Sequence, residues 1–364
     1  MFNNEIEFIQ NLYSTREFIT LHQPFFDDRE KKFVTDCIES GFVSSVGKEV
    51  NEFEEKIAKY CGVKKAVACV NGTSGLHLAL LLSGVNANDF VITQDLTFVA
   101  TANAIKYCNA NPIFIDIDKS TLGLSPQKLE DFLKKNPQLK IKAVVAMHSF
   151  GHPCAIDEIK IICDKYGIKL IEDCAESLGS FYKNKHTGNF GDIGVLSFNG
   201  NKIITTGGGG MLLFNDEELA KKAKHLSTQA KINHPWEFIH DEIGYNYRMP
   251  NLNASLGLAQ LEKLPKLLEK KRQLSKKYQE FFGERFFCEP KNSLSNYWLN
   301  SIFLENKIQQ QEFIKFTNEQ KIMTRPVWRL MHKLEMFKNS ITDDLSTANW
   351  VEDRLVNIPS WVKL

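Results

Sequence analysis

The sequence predicts an α/β protein built on a mostly parallel sheet with helices on both faces. Two observations carry this. From about Phe53 to Phe214, short β-branched or apolar runs alternate with amphipathic helical stretches, which is the pattern of βαβ units. The chain has 364 residues, 43% hydrophobic and 24% charged, enough for one large core and a smaller unit beside it.

The expected strands, in order, are "AVACV" (66–70), "FVITQ" (90–94), "PIFIDI" (112–117), "KAVVAM" (142–147), "KLIEDC" (169–174), "GVLSFN" (194–199) and "GGMLLFN" (209–215). Helical patterns between them are "SGLHLALLLSGV" (74–85), "TFVATANAIKYC" (97–108), "SPQKLEDFLKKN" (125–136) and "AIDEIKIICDKYG" (155–167). After Asn253 the character changes. "LNASLGLAQLEKLPKLLEKKRQLSKKYQEFF" predicts a long helix, with Pro265 as a kink or break. "YWLNSIFL", the helical "QQQEFIKFTNEQK", "IMTRPVW" and a helical tail then predict a smaller α/β unit. The expected division is residues 1–250 for an N-terminal arm and the large domain, and 251–364 for the connecting helix and small domain.

Composition excludes several function classes. A net charge of +1 leaves no electrostatic footprint for nucleic acid or a membrane surface. Lysine runs such as "LLEKKRQLSKKY" carry Glu and Leu at helical spacing and read as a solvated helix face. The eight cysteines form no CxxC pair, disulfide framework or metal site, and most sit in apolar runs as small buried hydrophobes. That usage favours a reducing compartment. "MFNNEIEFIQNLY" lacks a signal-peptide pattern, and no apolar run approaches bilayer length, so a cytoplasmic setting is expected.

Three stretches carry chemistry. In "CVNGTSGLHLAL" (69–80) a strand ends, a short turn follows and a helix begins. Thr73 and Ser74 there fit either a helix cap or a phosphate held at the helix N-terminus. In "IEDCAES" (171–177) Asp173 sits at the carboxyl end of a strand, where it fits a ligand, a base or a polar cap. In "SFNGNKIITTGGGGM" (197–211) the glycines precede a strand, whereas nucleotide loops place them before a helix. The order is strand, loop with Lys202, glycines, strand, and a lysine sheltered between apolar strands needs a task or a partner. Together the three supply what pyridoxal 5'-phosphate requires: a helix N-terminus for phosphate, an acid for the pyridinium nitrogen, and a lysine for a Schiff base. Phe98, just after a strand, is placed to stack on the ring.

The stretch "EDCAESLGSFYKNKHTGNFGDIGVLSFNGNKIITTGGGGM" resembles the core of the DegT/DnrJ/EryC1/StrS nucleotide-sugar aminotransferases. Further matches run through "GFVSSVGKEVNEFEEKIAKYCG" (41–62), "NGTSGLHLAL", "TFVATANAI", "FIDID" (114–118), "MHSFGHPCAIDEI" (147–159) and "GYNYRMPNLNASLGLAQL" (244–261), most of the chain. The resemblance implies the aspartate aminotransferase-type fold (fold type I). It implies Lys202 as the Schiff-base lysine and Asp173 as the partner of the pyridinium nitrogen. Gly72, Thr73, Ser74 and Ser197 would hold the phosphate, Phe98 would stack on the ring, and Glu176 would lie beside the cofactor. Asn246 would reach the phosphate of a partner subunit's cofactor, making the active site a property of a homodimer. Ser44, Ser45, His148, Arg325, Trp328 and His332 match family positions near the sugar nucleotide, while His186 and His240 read as ordinary surface or loop histidines.

"VSSVGKEV", "CAES", "STQAK" and "TRPVWRLMH" resemble the branch that aminates C4 of UDP- or GDP-linked 4-keto-2-acetamido-2,6-dideoxyhexoses, on routes to bacillosamine or legionaminic acid. L-Glutamate is the implied amino donor. Two departures stand out. Glu176 occupies a position where the family commonly has Gln, and an ionised Glu offers acceptors alone. Gly208 replaces the Glu of the common "TGEGG". The alternatives are amination of a 3-keto sugar nucleotide and, from another class, a non-catalytic sugar-nucleotide-binding regulator on the same fold.

Overall fold

The computed structural model describes residues 2–364. An eight-stranded sheet forms its centre. Its main strands are β1 (Lys65–Cys69), β2 (Phe90–Gln94), β3 (Asn111–Ile115), β4 (Ile141–Met147), β5 (Lys169–Asp173), β6 (Ile193–Ser197) and β7 (Gly210–Phe214). These are the seven expected runs, shifted by a few residues at their ends. In space the order is β1-β7-β6-β5-β4-β2-β3, and the two-residue strand Ile341–Thr342 adds to the far edge. Strands β6, β5, β4, β2 and β3 run parallel, and β7 runs antiparallel between β1 and β6.

Both faces of the sheet are buried, which is why its strands read as continuous apolar runs. Alternate side chains go to opposite cores. Val67, Cys69, Leu212 and Phe214 pack with α4 (Gly72–Leu82), α5 (Val99–Tyr107) and α8 (Glu217–Ser227). Ala66, Ala68, Met211 and Leu213 face α3 (Lys48–Cys61) and the long helix α9 (Asn251–Phe282). Helices α6 (Pro126–Lys135) and α7 (Ile156–Tyr166) cover the remainder of that side through Leu129, Phe132, Ile159 and Cys163. Helices end where the chemistry asks: Gly62 after α3 and Gly167 after α7 take left-handed φ of 69° and 66°.

Three expectations change. Helix α9 runs unbroken through Pro265. The proline is exposed, and the flanking Leu264 and Leu267 are buried, so core packing offsets the one backbone hydrogen bond it forfeits. The predicted helical tail is a short helix, Ser346–Glu352, followed by a strand, Leu355–Ile358, which is the middle member of a small sheet with Asn300–Phe303 and Arg325–Pro326. At the other end of the chain, α1 (Asn3–Tyr13) packs with the C-terminal region: Phe2, Ile6 and Ile9 share a core with Tyr278, Phe313 and Val356. The division at residue 250 therefore separates α1 from the core it belongs to. All eight cysteines are free, and seven are buried.

Helix α2 (Asp28–Glu39) docks on α9 through a buried ion pair. The Lys263 ammonium donates to Glu30 Oε2 at 2.6 Å and bridges to Asp27 Oδ1 at 2.8 Å. Glu30 also accepts from Gln260 Nε2 at 2.7 Å and from the Asp27 N–H at 2.8 Å, closing a capping box at the start of α2. Removing one partner would strand the other charge in the core. Lys263→Met is expected to cost about 3–5 kcal/mol in denaturant unfolding, and Glu30→Leu combined with Lys263→Met to recover much of that loss. Equal stability of the single and double variants would show that the pair is not what holds α2 down.

Candidate active site

A cavity of about 280 Å³ opens where β1, β4, β5 and β6 end. Because β7 is antiparallel, its amino end arrives at the same edge. The cavity is lined by Asn71, Gly72, Thr73, Phe98, Met147, Asp173, Glu176, Ser197, Lys202, Gly208, Trp298 and Trp328, among others. The structure thus brings together eight of the expected residues: Gly72, Thr73, Phe98, Asp173, Glu176, Ser197, Lys202 and Trp328.

Lys202 lies in the loop between β6 and β7, held by its N–H on the Asn199 carbonyl at 3.0 Å. Its side chain is 14% exposed, with Nζ 3.4 Å from Glu176 Oε1 and 4.1 Å from the centre of the Trp298 ring. Asp173 ends β5 and is buried. Its Oδ2 accepts from the Thr101 hydroxyl at 2.7 Å and its Oδ1 from the Ala175 N–H at 3.1 Å. Burial pushes the Asp173 carboxyl up from its ordinary range, while those two donors and the charge of Lys202 pull it down. Glu176 is held by the Phe150 N–H, which donates to Oε2 at 2.8 Å. Burial pushes Glu176 up to about 7, with Asp173 adding to the rise and Lys202 and Phe150 opposing it. At neutral pH this carboxyl therefore exchanges a proton, so it can donate as well as accept.

The α4 N-terminus faces the same cavity. Asn71 caps it, its Oδ1 accepting from the Ser74 N–H at 2.8 Å. That leaves Gly72 and Thr73 on the cavity side, and Ser74 is not among the lining residues. A Cβ on Gly72 would come within 3.0 Å of Ser197 Cβ, so glycine lets α4 start directly against the end of β6. Phe98 is 49% exposed at the N-cap of α5, edge-to-face with Trp328 at 6.1 Å.

These residues fit pyridoxal phosphate. The two donors to Asp173 are neutral, so a buried carboxylate is left to be matched by a cation, as a protonated pyridine nitrogen would do. The helix start offers N–H groups and a positive dipole end to a phosphate, with Ser197 beside it. Lys202 reaches the space between them.

Other expected site residues lie elsewhere. His148 is fully buried behind the cavity, paired through Nε2 with Glu172 Oε2 at 3.1 Å, with Nδ1 accepting from the Cys154 N–H at 3.2 Å. Strand alternation explains it: Met147 and Asp173 face the cavity, so His148 and Glu172 point away. His332 binds Asp95 through its N–H at 2.9 Å and its Nδ1 at 2.6 Å. Arg325 is exposed and donates to Asn318 Oδ1 and the Thr324 carbonyl, both at 3.1 Å. Ser44 is exposed and Ser45 half-buried in the loop before α3, and Asn246 is exposed with its Oδ1 accepting from Arg248 Nε at 3.0 Å. His186 is buried, with Nε2 accepting from the Gly179 N–H at 2.9 Å, so it is neither a surface nor a loose loop histidine. Among the residues that sequence reasoning missed are Asn71, Thr101, Phe150 and Trp298. Of these, Asn71 had a local signal, standing just before "GTS" where an N-cap belongs.

Residues 24–364 match the DegT/DnrJ/EryC1/StrS aminotransferase family. EpsN of Bacillus subtilis, assigned as a pyridoxal phosphate-dependent aminotransferase, is 42% identical over 88% of this chain and 84% of its own. A GDP-perosamine synthase of Escherichia coli O157:H7 is 38% identical over 96% of this chain and 94% of its own. The UDP-4-amino-4,6-dideoxy-N-acetyl-beta-L-altrosamine transaminase of Campylobacter jejuni is 38% identical over 66% of this chain and 64% of its own. Among solved structures, the aminotransferase TlmJ of Streptoalloteichus hindustanus superposes with a TM-score of 0.89 at 27% identity, covering 94% of this chain and 93% of that one. The chain belongs to the DegT/DnrJ/EryC1/StrS aminotransferase family and is a pyridoxal-phosphate-dependent aminotransferase.

Proposed function

We propose that this enzyme moves an amino group from L-glutamate to C4 of a nucleotide-linked 4-keto-2-acetamido-2,6-dideoxyhexose, as a step in bacterial glycan biosynthesis. The observation that carries the reading is the placement of Lys202 Nζ in one cavity with Asp173, Glu176 and the α4 N-terminus. Bound pyridoxal phosphate supplies a carbonyl that takes up the amino group and a cationic ring that accepts the electron pair of a broken C–H bond. Lys202 carries the proton at its Nζ between donor or sugar carbon and cofactor. Asp173 keeps the ring nitrogen protonated. Gly72, Thr73 and Ser197 bind the phosphate, and Phe98 and Trp328 exclude water from one side of the cleft. Glu176, partly protonated at neutral pH, can donate to an oxygen anion where an ionised carboxylate would repel it.

C4 as the acceptor position rests on the named products of the perosamine and altrosamine relatives. The altrosamine relative supports a UDP-linked N-acetylated sugar. A second reading, a GDP-linked 4-keto sugar, has a specific observation in its favour: the perosamine synthase matches 96% of this chain. We also propose a cytoplasmic homodimer with shared active sites. Two stretches that no part of this chain covers support the dimer: Trp236, Phe238 and Ile243 are 78%, 83% and 84% exposed, and Phe42 and Val46 are 61% and 67% exposed. Asn246, Ser44 and Ser45 lie in or beside these stretches. Among the described residues no helix is long and apolar enough to cross a membrane.

The test is a panel of UDP- and GDP-linked 3-keto and 4-keto sugars with glutamate, reading the product by mass and NMR. Turnover of 3-keto sugars alone would overturn the position of amination. In parallel, borohydride reduction of the holoenzyme is expected to leave the cofactor on the peptide holding Lys202, and Lys202→Ala to lower turnover by about 10³-fold or more. An adduct elsewhere would remove Lys202 from its role.

Glu176 predicts a pH dependence. Its folded value of about 7 lies above the ordinary 4.5, so between those values the folded protein holds a proton that the unfolded chain has lost. Stability then falls as pH rises through that window, by up to roughly 3 kcal/mol. Glu176→Gln is expected to flatten the profile of the cofactor-free protein between pH 5 and 7. An unchanged slope would show that Glu176 ionises at its ordinary value.

For the dimer, sedimentation should give two chains for the wild-type protein and one for Trp236→Glu combined with Phe238→Glu, with activity lost alongside. A fully active monomer would end the shared-site reading.

A further inference from the structure

Trp298 lies against Lys202 and is held there by contacts from several directions. Its indole Nε1 donates to the Asn201 carbonyl at 2.6 Å, one residue before the lysine. Its N–H donates to Asn296 Oδ1 at 2.8 Å, and Asn296 Nδ2 in turn donates to the carbonyls of Glu176 and Leu178 at 2.8 and 2.9 Å. Its own carbonyl accepts from Lys271 Nζ at 2.8 Å, and Lys271 is itself buried. The ring is therefore fixed to the loop of Lys202, and the Trp298 backbone to the turn of Glu176 and to helix α9. It is 4% exposed, so the contact with the lysine is made away from water.

Two groups face the Lys202 Nζ: the ring at 4.1 Å and Glu176 Oε1 at 3.4 Å. The carboxyl is an incomplete counter-charge near neutral pH, since burial holds much of it in the protonated form. The ring face is a permanent partner, because its quadrupole does not titrate, and indole is the strongest of the aromatic side chains for this contact.

We propose that Trp298 is a positioning residue whose ring face holds the Lys202 ammonium at the cavity wall whenever that amine is not bonded to the cofactor. The amine then stays within reach of the reacting carbon through the part of the cycle in which it carries a proton, instead of swinging into the open cleft. The inference rests on Lys202 being the reactive amine and is independent of which sugar is the acceptor.

The test uses cofactor-free protein and no sugar. Trace acetylation followed by peptide mass analysis reads how fast the Lys202 amine reacts against the other lysines as internal standards. Trp298→Met and Trp298→Phe have side chains of similar size, so they open the site comparably but differ in the ring face. Lys202 is expected to label about tenfold faster in W298M and within about threefold of wild type in W298F. Equal rates in the two variants would overturn the proposal and leave Trp298 as packing.

Because W298M can fail to fold, a second measurement uses the wild-type chain. The ε-methylene protons of Lys202, assigned by their loss in Lys202→Arg, should lie upfield of the other lysines through the ring current. An unshifted resonance would also overturn it. A shifted resonance with no borohydride adduct on Lys202 would keep the contact and sink the catalytic reading on which the inference rests.

Discussion

The close approach of Gly210 to Asn71 sets the geometry of the whole site. A Cβ at Gly210 would fall 2.6 Å from the Asn71 backbone. Gly210 is paired with Cys69 on one side and with Ser197 on the other, so it lies between the last residues of β1 and β6. The cap of α4, the end of β6 and the start of β7 can meet only because this position carries no side chain. Moving β7 outward would shift Asn71, and with it the helix start offered to a phosphate. It would also shift the loop that carries Lys202. The neighbouring glycines serve different ends. Gly207 has φ of 79°, which turns the chain into the strand, and Gly208 borders open space in the cavity. The glycine run is thus the support of the lysine loop rather than a cradle for phosphate.

Within that frame, two buried carboxyls a few residues apart are driven to different tasks. Both are pushed up by burial. Asp173 has a hydroxyl and an amide on its two oxygens, and its open need is for a cation. Glu176 has one amide, a lysine at 3.4 Å, and the repulsion of Asp173. Different partners thus act on two carboxyls that burial raises alike, which is how neighbouring acids are divided into distinct roles. A glutamate is therefore workable at a position where the family resemblance implies a neutral amide.

The large domain was legible because its signals are local. Runs such as "AVACV" and "KAVVAM" are buried on both faces, and their lengths and spacing distinguish strand from helix. The meeting of Lys202 and Asp173 in one cavity was legible from the order of elements, since Asp173 ends β5 and Lys202 follows in the loop after β6. The remainder depends on contacts distant in sequence. Thr101 reaches Asp173 across 72 residues, and Trp298 reaches Asn201 across 97. Leu355–Ile358 is a four-residue segment, too short for periodicity to separate strand from helix, and its pairing with Asn300–Phe303 decides the matter. His148 was misplaced because motif position was read without the strand's two-residue alternation, which turns its ring toward Glu172.

Phe150 shows what the site costs. It is a bulky residue with φ of 57°, a left-handed conformation that L side chains avoid by about 1–2 kcal/mol. The surrounding contacts impose it. Its N–H is the donor that holds Glu176, its carbonyl accepts from the Leu299 N–H at 3.3 Å beside Trp298, and its ring stacks on Trp328 at 4.9 Å. A relaxed backbone at 150 would turn that N–H away from Glu176. The carboxyl would lose one of the interactions that favour its ionised form and would titrate higher still. The strain therefore acts on the chemistry: it keeps Glu176 near the pH at which it can both accept and release a proton, while the same residue seats the aromatic wall of the cleft.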